Sequence, residues 1–180
     1  MGESSGDELV DWHRLTGWGD TWALAVVVGV ASVPWTYGFV AGLDLPLWPA
    51  FIAAATYYAA GRGGQAFVRG YSSNLVGIGY GAATVAIVDG AGGGSVLLLS
   101  LVVGGFMLLA SLHEAVSVLS FTPGGFFGYA TLFSVHAAGV ATHGIDGVGG
   151  EAVITAVSML IGAAIGLLTD EVSTVIGEGR

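Results

Sequence analysis

Long apolar stretches alternate with short turn-forming clusters along the chain. The stretches run from Trp22 to Leu43, Leu47 to Ala60, Phe67 to Val88, Ser95 to His113, Phe121 to Val140 and Val153 to Leu168. A helix crossing the hydrocarbon layer takes about 20 apolar residues, so the pattern predicts six membrane helices in one domain. Between them lie LDLP (43–46), GRGG (61–64), DGAGGGS (89–95) and THGIDGVGGE (142–151), all rich in turn-forming residues. The fourth and fifth stretches are divided by HEAVSVLSFTPGG (113–125), where Thr122, Pro123, Gly124 and Gly125 interrupt any continuous helix. The second stretch, between Pro46 and Gly61, is short, and the fifth starts at the proline–glycine break. The second and fifth helices are therefore expected to be short or interrupted.

Composition sharpens this reading to an all-α integral membrane protein. Hydrophobic residues make up 54% of the chain and charged residues 9%, with a mean hydropathy of +0.81, against roughly 25% charged residues in soluble domains. The expected organisation is an acidic N-terminal segment (1–21), a six-helix transmembrane domain (22–170) and an acidic tail (171–180). The first twenty residues lack the basic start and apolar stretch of a cleavable signal, so the first span is expected to direct insertion. The absence of cysteine excludes disulfides, thiolate metal sites and cysteine nucleophiles. Thirteen acids against four arginines and no lysine make nucleic acid a poor partner, because phosphate binding needs clustered cations. The same balance suits a halophilic source, where salt screens carboxylate repulsion; a GC-rich genome that writes Arg in place of Lys accounts for it equally well.

The arginines orient the chain. In a six-span arrangement Arg14, Arg62, Arg69 and Arg180 all fall on one side, whereas the opposite connections carry Asp44, Asp89, Asp146 and Glu151. The positive-inside rule then predicts a multi-pass protein of the cell (inner) membrane with both termini cytoplasmic. Trp18, Trp22 and Trp48 suit interfacial anchoring. Trp35, deep in the first span, suits packing.

The two halves resemble each other. Phe51, Ala55, Thr56 and Tyr58 match Phe126, Ala130, Thr131 and Phe133 at one constant spacing, which also pairs Val27, Val28 and Gly29 with Val102, Val103 and Gly104. GAATVAIVD (81–89) parallels GAAIGLLTD (162–170) at a slightly longer one. Three spans per unit force the second copy to cross in the opposite sense, so repeat one (22–89) and repeat two (95–170) are expected to form a three-plus-three inverted repeat.

At FTPGGFFGYATLF (121–133), followed by a Gly/Ala-rich last span, the sequence resembles the YcdZ-like family of small bacterial inner-membrane proteins, a family of unknown function. The resemblance reaches back to WPAFIAAATYYAAGRGGQAF (48–67) and covers most of residues 22 to 170. It rests on a small residue, Phe, a variable position, Pro-Gly and an aromatic, Gly/Ala-rich helix. This chain departs from the family pattern in its acidic tail, its His113–Glu114 pair and its histidines after the fifth span. The resemblance implies the fold and a membrane location and brings no activity with it.

Short or interrupted segments at matching places in two repeats are the best sequence pointer to a transport site. There Thr56, Tyr57 and Thr131 offer hydroxyls, Phe51 and Phe126 offer aromatic walls, and Pro123, Gly124 and Gly125 form the break. The alternative for the threonines is a bond to their own helix backbone, and for the aromatics plain packing. His113, Glu114 and His136 are candidates for gating or proton handling, with a plain interfacial helix end or a solvated loop as the competing account. His136 and His143, beside Asp146 and Glu151, match no metal motif. No metal or cofactor is expected. Asp89 and Asp170, at matching repeat positions, are either ion-entry carboxylates or helix ends in water. Gly38 and Gly42, Gly77 and Gly81, Gly124 and Gly128, and Gly162 and Gly166 have the spacing that lets helices approach closely, within one chain or between chains of a homo-oligomer.

The expected function is a small channel or facilitator for an unidentified small solute or ion, with the lipid bilayer as its surroundings. A non-transporting accessory or structural subunit of a larger membrane complex is the alternative. Catalysis is not expected, because no nucleophile, base and orienting partner recur at a recognisable spacing.

Overall fold

A computed structural model describes residues 20–140, 144 and 146–178. Arg14, Trp18, His143, Arg180 and most of the acidic N-terminal segment lie outside the described residues. Among the described residues six α-helices follow one another: α1 (Asp20–Tyr37), α2 (Leu47–Ala59), α3 (Gly63–Gly90), α4 (Val96–Leu112), α5 (Thr122–Ala137) and α6 (Gly147–Glu178). No strand occurs among the described residues. Among the described residues three stretches are long and apolar enough to cross a membrane: Thr21–Leu43, Val96–Ala115 and Gly147–Gly177. The chain is a helical protein of membrane character.

Each apolar stretch became a helix, and the ends have local causes. Pro34 lies inside α1, and beyond it the helix widens into a π-helical turn, Gly38–Leu43, a common form of local irregularity. Its Phe39 is buried against Trp35, Ala50 and Ala54. Asp44 ends the turn with a left-handed backbone, φ +49°. α2 begins directly after Pro46, as the fixed proline φ favours. Ser95 caps α4 by accepting from the Leu98 N–H. Two short 3₁₀ turns (His113–Ala115 and Ser117–Leu119) bridge α4 to α5, and Pro123, Gly124 and Gly125 fall inside the first turn of α5. At 13 and 16 residues, α2 and α5 rise about 20 Å and 24 Å, short of a hydrocarbon layer of about 30 Å.

Successive helices alternate in direction, and the core is built from two seams, each between helices that run the same way. In the first, α5 runs alongside α3: Gly124 faces Ser73, Gly128 faces the Asn74 backbone, and Gly81 faces Leu132. In the second, α2 runs alongside α6: Gly162 faces Ala50, and Gly166 faces Ala54 and Tyr57. A Cβ at Gly77, Gly128 or Gly162 would run into the opposing backbone, so these glycines set the helix separation. Without a hydrophobic drive inside lipid, such close backbone contact is a main source of helix association. Six of the eight paired glycines therefore work within the chain, while Gly38 and Gly42 face open space. The seams meet around Ala53, Ile78, Leu132, Met159 and Ala163, one cluster drawn from α2, α3, α5 and α6. α1 and α4 flank this core and stay largely exposed.

Candidate functional site

The turn between α2 and α3 carries the strongest polar constellation. Gly61, Arg62 and Gly63 all have positive φ, at +104°, +66° and +79°. Glycine takes such angles freely, whereas Arg62 is strained there. The turn aims the guanidinium at Asp170 of α6: Arg62 Nε donates to Asp170 Oδ1 at 2.6 Å, and a second guanidinium nitrogen reaches the same oxygen. Asp170 Oδ2 accepts from the Tyr57 hydroxyl at 2.6 Å, and that hydroxyl oxygen accepts from the Gly63 N–H at 2.7 Å. One carboxylate thus ties α2, the strained turn and α6 together. The hydrogen bond to Asp170 raises the Arg62 pKa beyond its ordinary value, so the guanidinium stays charged. Beside it Arg69 donates to the Ala60 carbonyl, a cation at the C-terminus of α2, where the helix dipole favours one.

Asp170 was expected either to admit ions or to end a helix in water. It does not end a helix: α6 continues to Glu178, and Asp170 is only 7% exposed. Asp89, its counterpart in the other half, is exposed on α3. The two matching acids therefore differ: among the described residues an arginine reaches Asp170 and none reaches Asp89. Tyr57→Phe removes the donor to Asp170 and the acceptor for Gly63 together, and the expected cost is about 1–3 kcal/mol, measurable as a lower midpoint of unfolding in mixed micelles.

A second polar group sits at mid-height in the core. Asn74, the only asparagine in the chain, is fully buried on α3 where Gly128 lets α5 approach. Its Oδ1 lies 3.5 Å from the Thr56 hydroxyl, which gives its proton to the Ile52 carbonyl at 2.8 Å. The Asn74 amide nitrogen has no partner, and neither have the buried hydroxyls of Ser73 and Ser158. Buried amides without partners are costly and unusual, which makes Asn74 stand out. The apolar pattern passed over it because one uncharged residue hardly lowers the hydropathy of α3; its uniqueness in composition was the available signal.

The sequence-predicted residues divide between these places. Thr56 and Thr131 are buried, and each bonds to its own helix, Thr131 to the Phe127 carbonyl at 2.6 Å. Tyr57 belongs to the Asp170 cluster. Phe51 is partly exposed and packs on Trp35, with ring centroids 4.4 Å apart. Phe126 is exposed on α5. Gly124 and Gly125 lie buried where α5 starts against α3, with Pro123 exposed beside them. His113 pairs with the Tyr80 hydroxyl at 2.8 Å, and Glu114 is exposed. His136 meets Glu151 at 2.8 Å, linking the end of α5 to the start of α6. Among the described residues no group of three or more His, Cys, Asp or Glu side chains is arranged to hold a metal ion.

Two glycine seams, a buried amide between them and one ion-paired turn define a small helical protein of membrane character with a polar interior. A model of the family described as a protein of unknown function, DUF1097, matches residues 25–174, and the chain belongs to that family. No curated protein and no solved structure matches it.

Proposed function

We propose that this protein is a small multi-pass membrane facilitator, built as a three-plus-three inverted repeat, whose solute meets the Asn74 amide where the two seams face each other. The repeat reading is supported by the exchange of partners: the short helix of each half packs along the long helix of the other, and the two seams run in opposite directions. Transporters built this way place their sites near the bilayer midplane at the repeat interface. The single observation that carries the functional reading is Asn74, buried, uncharged and lacking a partner for its nitrogen. Polar groups deep in a bundle mark solute paths by default. A lining of amide and hydroxyl groups suits a small neutral solute or a partly dehydrated ion.

In this reading the end bearing Arg62 and Arg69 faces the cytoplasm, as the distribution of arginines favours. The likeness of residues 121–133 to YcdZ-like proteins fits the same inner-membrane placement. The accessory-subunit reading keeps one observation in its favour: backbone contact along both seams closes them tightly.

Flux into liposomes holding the purified protein, across a panel of small neutral solutes, anions and cations, tests the proposal. Transport above empty liposomes is expected for at least one solute. It should fall about tenfold or more in Asn74→Leu, and less in Thr56→Val and Thr131→Val, whose hydroxyls already serve their own helices. A well-folded protein that passes none of the panel would leave the subunit reading in its place, and an Asn74→Leu variant with undiminished flux would move the solute path away from Asn74.

A further inference from the structure

A separate cleft of about 720 Å³ opens between the first turns of α3 and the second of the 3₁₀ turns, Ser117–Leu119. Its lining has two parts. Gln65, Arg69, Ser117 and Ser120 supply polar groups, and Val68 and Val118, both exposed, supply apolar surface. Arg69 is partly exposed, and one terminal nitrogen of its guanidinium is taken by the Ala60 carbonyl. Unlike Arg62, it has no ion-pair partner among the described residues. The Ser120 hydroxyl gives its proton to the Ser117 carbonyl at 2.9 Å, whereas the exposed side chains of Ser117 and Gln65 make no hydrogen bond to any described residue. Glu114, on the preceding turn, is exposed and outside the lining, and among the described residues no carboxylate lines the cleft. The Arg69 Nε is enclosed; what the cleft offers is the charge of the guanidinium, with the accessible Ser117 and Gln65 side chains as donors.

We propose that this cleft binds the phosphate of an anionic phospholipid headgroup, with the upper part of the lipid lying against Val68 and Val118. The site rests on the multi-pass placement proposed above, which sets this end of the bundle at the headgroup level, and it is independent of transport. A donor-rich lining without carboxylates calls for an anion, and a guanidinium suits phosphate in particular. A zwitterionic headgroup is a poorer match, because its ammonium group meets the same uncompensated positive charge. The exposed valines favour a lipid over free phosphate: a soluble ion leaves their surface in water, whereas a glycerol backbone and the first acyl carbons cover it. The volume lies within the ordinary range of ligand sites, about 300–1,000 Å³.

Native mass spectrometry of the full-length protein, released from nanodiscs of phosphatidylglycerol and phosphatidylcholine in equal amounts with identical acyl chains, reads the preference directly. Retained phosphatidylglycerol is expected to exceed phosphatidylcholine roughly fivefold, the worth of one cation beside an anionic surface. Gln65→Glu puts a carboxylate into the cleft with almost no change of shape, in the first turn of α3, where the helix dipole favours an acid. The fold is therefore kept, and the preference should fall to near parity. Thr174→Glu, exposed on α6 one turn beyond Asp170, adds the same charge at the same end of the bundle but outside the cleft, and should leave the preference intact. Inorganic phosphate added to the nanodiscs should leave the ratio unchanged. Equal retention of the two lipids by the unaltered protein overturns the proposal whether or not the variants fold. So does a folded Gln65→Glu protein that keeps the preference, or an equal loss in both variants, which marks diffuse attraction in place of a site. Displacement of phosphatidylglycerol by inorganic phosphate would assign the cleft to a soluble phosphate compound and overturn the lipid. A protein that does not enter nanodiscs overturns the multi-pass placement and this site with it, a result distinct from entry without preference.

Discussion

Gly128→Ala is expected to unfold the protein or lower its stability by about 4 kcal/mol or more, the range reserved for severe steric faults. A methyl at this position runs into the Asn74 carbonyl and the backbone around it. No rotamer change relieves the clash, since neither party is a flexible side chain, and α3 and α5 must move apart along the whole seam. Gly77→Ala and Gly162→Ala should behave alike, because their added carbons meet the backbones of Gly125 and Ala50. Gly29→Ala and Gly104→Ala face open space on α1 and α4. They should be neutral or stabilise by up to about 1 kcal/mol through helix propensity. Detergent-denaturation midpoints and the monodisperse yield on size exclusion read all five. Equal tolerance in the two groups would refute the seams as described.

Arg62→Ala should destabilise the protein by about 2–4 kcal/mol, more than Asp170→Asn, for which about 1–2 kcal/mol is expected. The asymmetry follows from exposure. The Arg62 side chain is 41% exposed and can return to water when its partner is lost, whereas the Asp170 side chain is 10% exposed and cannot. Removing the arginine leaves a carboxylate without its counter-charge; replacing the acid removes the charge that needed a partner. Arg62→Ala with Asp170→Asn should consequently be more stable than Arg62→Ala by itself. Alanine retains the strained backbone at φ +66°, so the comparison isolates the ion pair, and Arg62→Gly reports the strain separately. A milder effect for Arg62→Ala than for Asp170→Asn would show that the pair contributes little.

Helix positions were legible because lipid-facing helices need long uncharged stretches, and all but the last stretch coincide with the helices within a few residues. Their ends were less so. The last stretch closes at Leu168 in sequence because acids follow it, yet α6 runs on to Glu178. Arg62, distant in sequence, neutralises Asp170 and lets the helix continue. The glycine spacing was visible, but its destination depends on which faces meet, and that is a tertiary matter: Gly77 and Gly162 touch backbone while Gly38 touches nothing. Tyr57 was singled out for its hydroxyl, and its partner could not be foreseen. Asn74 stayed hidden because a polar atom without a partner is a property of packing.

The seams also set an order of assembly. α2, only 13 residues long, lies along α6, the last of the described helices to leave the ribosome. During synthesis α2 has α3 beside it but not its main companion, and its ends fall short of the hydrocarbon thickness. In the proposed multi-pass arrangement, insertion of α1 to α3 alone leaves an incomplete layer, and α6 closes it by docking Gly162 and Gly166 onto α2 and Asp170 onto Arg62. In that arrangement a nascent chain arrested before Gly162 would be a natural substrate for membrane quality control.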